Sequence, residues 1–267
     1  MKNPSLVSDF REEAERARTA DRFRLENLLY HRSREVLEAM LENPRLGEKH
    51  LALLLSRRDL SRDIVARIAQ NREWMKSYPL KLAVVKHPRT PRHLALPLLK
   101  FLYLFDLLSV ATAAGVPPDV KRLAEESILT QREGLALGQR INLARRGSHR
   151  IAGGLLGDSD RRVIEAALSN PAMTEHAVTR ALLDGKAGPQ LTAAVLDHDR
   201  WFAGYSIKLA LLRGRHLSLA RVMAILPALA RPDLDDLVED PRVRQEIRRY
   251  MAKLLRTHRS RKAEKSF

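Results

Sequence analysis

The chain has two tryptophans, and each opens the same spacing: Trp74, Tyr78 and Lys81, then Trp201, Tyr205 and Lys208. On a helix those offsets bring the three side chains close to one face. Such a face could lay aromatic rings under bases or a peptide, with a cation beside them. The same residues could instead fill the joint between two packed helices, Trp as the plug and Tyr beside it. Glu73 and Asp199 are the acidic neighbours of the tryptophans, but they do not correspond in position, so no repeated catalytic carboxylate emerges. Nine histidines, among them His50, His87, His93, His176 and His198, fall in no His-Glu-x-x-His or similar ligand spacing. Gly153-Gly154 has no Lys-Ser/Thr after it, and "DLDDLVED" (233–240) lacks the glycine and spacing of an EF-hand. With no cysteine, thiolate metal sites, disulfide frameworks and Cys nucleophiles are excluded. No catalytic residue, metal site or cofactor is assigned.

Charge is the stronger chemical signal. The chain carries a formal net charge of +16 over 267 residues, and arginines outnumber lysines. Arginine suits bidentate phosphate recognition. Half of the surplus lies in the last segment, 242–265, with ten Lys/Arg against Glu246 and Glu264. Such a run reads as a solvated basic arm or as a contact for nucleic acid.

The elements that carry these residues are helices. The composition is 45% hydrophobic and 30% charged, enough to bury a core, with only 5% aromatics. Ala, Leu and Arg fill the long segments, and no stretch alternates as a half-buried strand does. One apolar stretch, 94–116, has the length of a membrane span. It contains Pro97, Lys100 and Asp106, costly groups at mid-bilayer.

A shift of 127 residues lays the chain on itself without gaps. Arg34, Val36, Glu38, Ala39, Leu41, Asn43 and Pro44 then match Arg161, Val163, Glu165, Ala166, Leu168, Asn170 and Pro171. Both tryptophans fall in register, each followed by Tyr and Lys-Leu-Ala. We read a tandem duplication. Under it, 94–116 matches 221–243, whose second part is acidic, so neither is a span. A shorter period lies inside: "ENPRLGEKHLAL" (42–53) recurs as "KHPRTPRHLAL" (86–96), so the long shift holds about three units of ~42 residues. Asn-Pro is read as the corner between helices, with Asn in the left-handed conformation and Pro as the stop. Asp160 or Ser159, then Thr174 and Thr90, are expected to cap helices, with Pro91 at a first helical position.

The pattern Asp-x-x-Val-x-x-Ala in "DRRVIEAAL", followed by Asn-Pro, resembles the second helix of HEAT-type repeats and of bacterial leucine-rich repeat variants. That resemblance implies an all-α, right-handed α-solenoid of about six HEAT-like or armadillo-type helix pairs. The expected divisions are an N-terminal helical cap over 1–30, half-solenoids over 31–157 and 158–242, and a basic C-terminal helix and tail over 243–267. In such repeats the second helices line a concave face. Here that face would present Arg34, Lys81, Arg140, Arg161, Arg162 and Lys208, with Glu38 and Glu165 among them. The tail adds Arg248, Arg249, Arg256 and Arg259. The expectation is a cytoplasmic, non-enzymatic scaffold that binds an acidic macromolecule, either nucleic acid or a protein segment, with no membrane and no small-molecule cofactor. Fold class, charge and tryptophans are also similar to bacterial HEAT-like alkylpurine DNA glycosylases, which would make the chain an enzyme. That alternative lacks a matching carboxylate beside either tryptophan.

Overall fold

The computed structural model describes residues 4–184 and 188–264, with side chains described for 11–184 and 188–255. Every regular element among them is helical. Two compact units divide the chain, Met1–Thr130 and Gln131–Phe267.

The first unit begins with α1 (Pro4–Thr19), α2 (Arg22–Leu28), α3 (Arg34–Met40), α4 (Glu48–Ser56) and α5 (Arg62–Gln70). A 3₁₀ turn at Trp74–Lys76 leads to α6 (Tyr78–Lys86), α7 (Arg92–Leu99), α8 (Leu104–Thr112) and α9 (Pro118–Thr130). Packing runs between elements one and two apart in the chain: α1 on α3, α3 on α5, α5 on α7, α7 on α9, and α4 on α6. Most of these helices have seven to nine residues, too short to persist alone in water. Burial holds them. Leu25, Leu51, Leu54, Ile68 and Val84 are wholly inaccessible, and each such side chain contributes roughly 1.5–3 kcal/mol on leaving water.

The second unit contains α10 (Leu137–Arg146), α11 (His149–Gly154), α12 (Arg161–Leu168), α13 (Glu175–Leu183) and α14 (Pro189–Leu196). Then come α15 (Asp199–Phe202), α16 (Tyr205–Arg213), α17 (Leu219–Ile225), α18 (Arg231–Glu239) and α19 (Gln245–Glu264). Here α10 packs on α12, α12 on α14, α11 on α13, α13 on α16 and α18 on α19. On α12, Val163, Ala166, Ala167 and Leu168 are all buried.

Helix starts follow the sequence with one exception. Asp160 accepts the Arg162 N–H and Thr174 accepts the Ala177 N–H, while Ser61, Ser77, Ser148 and Ser218 cap α5, α6, α11 and α17 in the same way. Thr90 does not cap. Its hydroxyl turns back and donates to the Val84 carbonyl, and Pro91 rather than Thr90 stands at the N-cap of α7.

The Asn-Pro corners differ from expectation in mechanism. No described non-glycine residue has a positive φ, so neither Asn43 nor Asn170 is left-handed. Their side chains make the corner. The Asn43 amide donates to the carbonyls of Ala17 (2.9 Å) and Ala20 (3.0 Å), and its Oδ1 accepts the Arg45 N–H. One repeat length on, Asn170 donates to Ala144 (2.8 Å) and Gly147 (2.9 Å) and accepts from Ala172. Each amide thus satisfies carbonyls left open at the end of an earlier helix and starts the next turn. The stretch 94–116 is split between α7, the turn after it and α8, and no helix among the described residues is long and apolar enough to cross a membrane.

Candidate functional site

Most of the arginines expected on the concave face are tied to carboxylates of their own chain. Arg34 donates to Glu38 at 2.6 Å and pairs with Asp63 at 2.7 Å. Its repeat equivalent Arg161 donates to Glu165 at 2.6 Å and to Asp197 at 3.0 Å. Arg162 grips Asp160 at 2.8 Å, holding that carboxyl at about 2. Arg140 places both oxygens of the largely buried Asp158 within 2.7 Å. Except for the Arg140 pair, these contacts are exposed and contribute little to stability. Their effect is on charge: four of the six expected cations are neutralised locally.

Lys81 and Lys208 behave differently. Lys81 Nζ stands 5.2 Å from the centre of the Phe101 ring. Lys208 Nζ stands 5.7 Å from that of Phe202 and donates to the Ala203 carbonyl at 3.3 Å. Both are half-buried and beside aromatic rings, an arrangement that cations favour.

The two Trp-Tyr-Lys sets are built on one plan with one difference. The Tyr78 hydroxyl donates to the Asp106 carboxylate and accepts the Tyr103 N–H at 3.0 Å. The Tyr205 hydroxyl donates to Asp233 and accepts the Ala230 N–H at 2.9 Å. Both phenols are raised in pKa, Tyr78 by burial first and then by Asp106, Tyr205 by its bond to Asp233. These tyrosines clasp the following helix pair. Trp201 is buried, its indole N–H donating to the Leu168 carbonyl at 2.9 Å, with the Arg200 guanidinium 4.2 Å over its ring. Trp74 lies in a 3₁₀ turn, half-buried against the core of its own unit. Neither indole stands free as a platform.

Beside the tryptophans, Glu73 pairs with Lys76 at 2.7 Å, and Asp199 opens the short α15. Each described carboxylate with a displaced pKa is displaced downward: Glu42, Asp59, Asp160 and Asp240, in every case chiefly by an arginine hydrogen bond. A carboxylic acid poised to give up a proton near neutrality needs the opposite shift. No group of three or more His, Cys, Asp or Glu side chains that could hold a metal occurs among the described residues. His50 and His87 are buried and hydrogen-bonded to backbone instead.

At the C-terminus the basic run is a single helix. α19 runs for 20 residues, about 30 Å at 1.5 Å per residue. Ile247 and Met251 anchor its first turns, Arg248 is half-buried, and Arg249 is exposed. Seven Lys/Arg along α19 face two carboxylates, Glu246 and Glu264. The side chains of Arg256 and Arg259 lie outside the described residues.

Three residues that the sequence reading passed over stand out in the first unit. Phe101, Tyr103 and Phe105 are 60%, 71% and 48% exposed in and just after the turn between α7 and α8. Their signal was present as an apolar run, which hides whether its rings point inward or outward. No protein-family model, characterised protein or solved structure matches this chain.

Proposed function

We propose that the chain is a right-handed α-solenoid of about six HEAT-like helix pairs, and that it works by binding an acidic macromolecule, nucleic acid in first place. Packing between elements one to three apart in the chain, in both units, supports the solenoid. The observation that carries the binding reading is α19: a continuous helix with seven Lys/Arg against two Glu, in a chain of net charge +16. The paired arginines on α3 and α12 supply little net positive charge, so the weight of the interface shifts to the C-terminal helix. Their mixed-charge surface favours a second reading for that face, a protein segment as partner. The whole would be a cytoplasmic scaffold.

Binding of a labelled duplex, followed by fluorescence anisotropy, tests the nucleic-acid reading. Log affinity should fall steeply and linearly with log salt between about 50 and 200 mM. Arg249→Glu combined with Arg256→Glu and Arg259→Glu should weaken binding at least about tenfold and flatten the slope by about one per phosphate contact removed. Failure to bind at the lowest salt ends the nucleic-acid reading. An unchanged slope in the triple variant removes α19 from the interface.

A further inference from the structure

The duplication provides an internal control for the exposed aromatic turn. Positions 101, 103 and 105 hold Phe, Tyr and Phe, while the positions 127 residues on hold Ala228, Ala230 and Pro232. The surrounding scaffold is shared. The backbone N–H of Tyr103 and that of Ala230 each donate to a tyrosine hydroxyl, and each hydroxyl donates to an aspartate, Asp106 or Asp233. The second unit therefore builds this turn without aromatic side chains, so folding does not require them in the first. Nor are they hidden: between them Leu102 is buried, while the three rings face solvent. Three large rings exposed within five residues form a patch of the kind that marks an interaction site.

We propose that this turn is a stacking platform for the unpaired bases of a single-stranded nucleic acid. The inference rests on the nucleic-acid reading above and names the form of the ligand and a second place where it sits. Charge complementarity selects this occupant over an apolar helix. Lys81 stands over Phe101, and the exposed Lys100 adjoins it in sequence. Between 72 and 106 the sequence has seven Lys/Arg and two carboxylates. Both carboxylates are engaged, Glu73 by Lys76 and Asp106 by Tyr78. Lys76 and Arg92 are spent on Glu73 and Asp119, but Lys81 and Lys100 beside the rings enter no ion pair among the described residues, and rings next to such cations fit a polyanion whose every unit carries a π-face. The Tyr103 ring also leans on that of Tyr78, centroids 4.7 Å apart, which holds it in place before any base arrives.

The test uses the full chain, a labelled oligodeoxyadenylate of about 12 nucleotides, within the usual range of single-strand sites, and a duplex of equal length. The single strand should bind more tightly than the duplex. Phe101→Ala with Tyr103→Ala, the residues that the second unit itself carries, should weaken single-strand binding at least about tenfold and duplex binding less than about twofold. Unchanged helicity and melting temperature establish that the variant folds. Lys81→Gln with Lys100→Gln should flatten the salt dependence for the single strand. A double alanine variant that binds the strand as the wild type does overturns the platform. So does a variant that loses only self-association in light scattering. If the wild type binds the duplex with the expected salt slope but the strand no better, the platform falls and the broader reading stands. Binding to neither removes both.

Discussion

His87 occupies a corner equivalent to that of Asn43 and makes the same kind of double contact. Its Nδ1 accepts the Arg89 N–H at 3.1 Å, so its Nε2 carries the proton and donates to the Arg57 carbonyl at 2.8 Å. Burial pushes its pKa below the ordinary histidine value, and the nearby Arg89 charge adds to that. The unfolded chain thus takes up a proton at higher pH than the folded one. The stabilisation is complete above the unfolded value of about 6.5 and is lost as pH falls through the lower folded value. Melting temperature should therefore drop as pH is lowered from neutrality toward 5. His87→Asn, which keeps one donor and one acceptor, should reduce that dependence in calorimetric scans at several pH values. An unaltered pH profile in the variant would assign the effect to other groups. The short repeat aligns this residue with Asn43, but the sequence does not show that it is buried with both ring nitrogens engaged. Types and spacing reveal where a side chain sits along the chain, while its partners come from helices some 30 residues away.

At the level of helices, the corners decide how one element follows another. Replacing Asn170 with Ala leaves the buried carbonyls of Ala144 and Gly147, and the N–H of the exposed Ala172, without their partner. The expected loss is about 1–3 kcal/mol, read from the midpoint of urea denaturation. Asn170→Asp, of the same shape but without N–H donors, should be at least as damaging, because a carboxylate would face two carbonyl oxygens. Equal stability of both variants and the wild type would rule out the corner as a structural tie. Helix positions, Asp160 and Thr174 as caps, and the buried face of α12 were legible because period and capping chemistry are local. The role of Asn was misread as a backbone conformation because the carbonyls it serves belong to an earlier helix. The mixed charge of the arginine face is legible only in part, for a similar reason. Arg34 and Glu38 are one turn apart and visibly paired, but Asp63 and Asp197 reach Arg34 and Arg161 only through packing.

For the chain as a whole, the repeat shift is the feature on which most inference rests. It places Asn43 with Asn170, Tyr78 with Tyr205 and Asp106 with Asp233, and each pair makes the same bonds in its own unit. The tryptophans share a register but have diverged in burial, so a common ancestor does not guarantee a common environment. The proposed solenoid predicts a radius of gyration in solution scattering clearly above the roughly 18 Å of a compact globule of this length. A value at that figure would overturn the solenoid. The Asn-Pro corners have one more consequence, for chemical ageing. An asparagine deamidates when the nitrogen of the next residue attacks its side-chain carbonyl, and a proline nitrogen has no hydrogen to lose. Asn43 and Asn170 precede Pro44 and Pro171. The two amides whose conversion to carboxylate would pry the corners apart are thereby shielded from the usual route of decay, while Asn71 and Asn142, followed by Arg72 and Leu143, have no such protection.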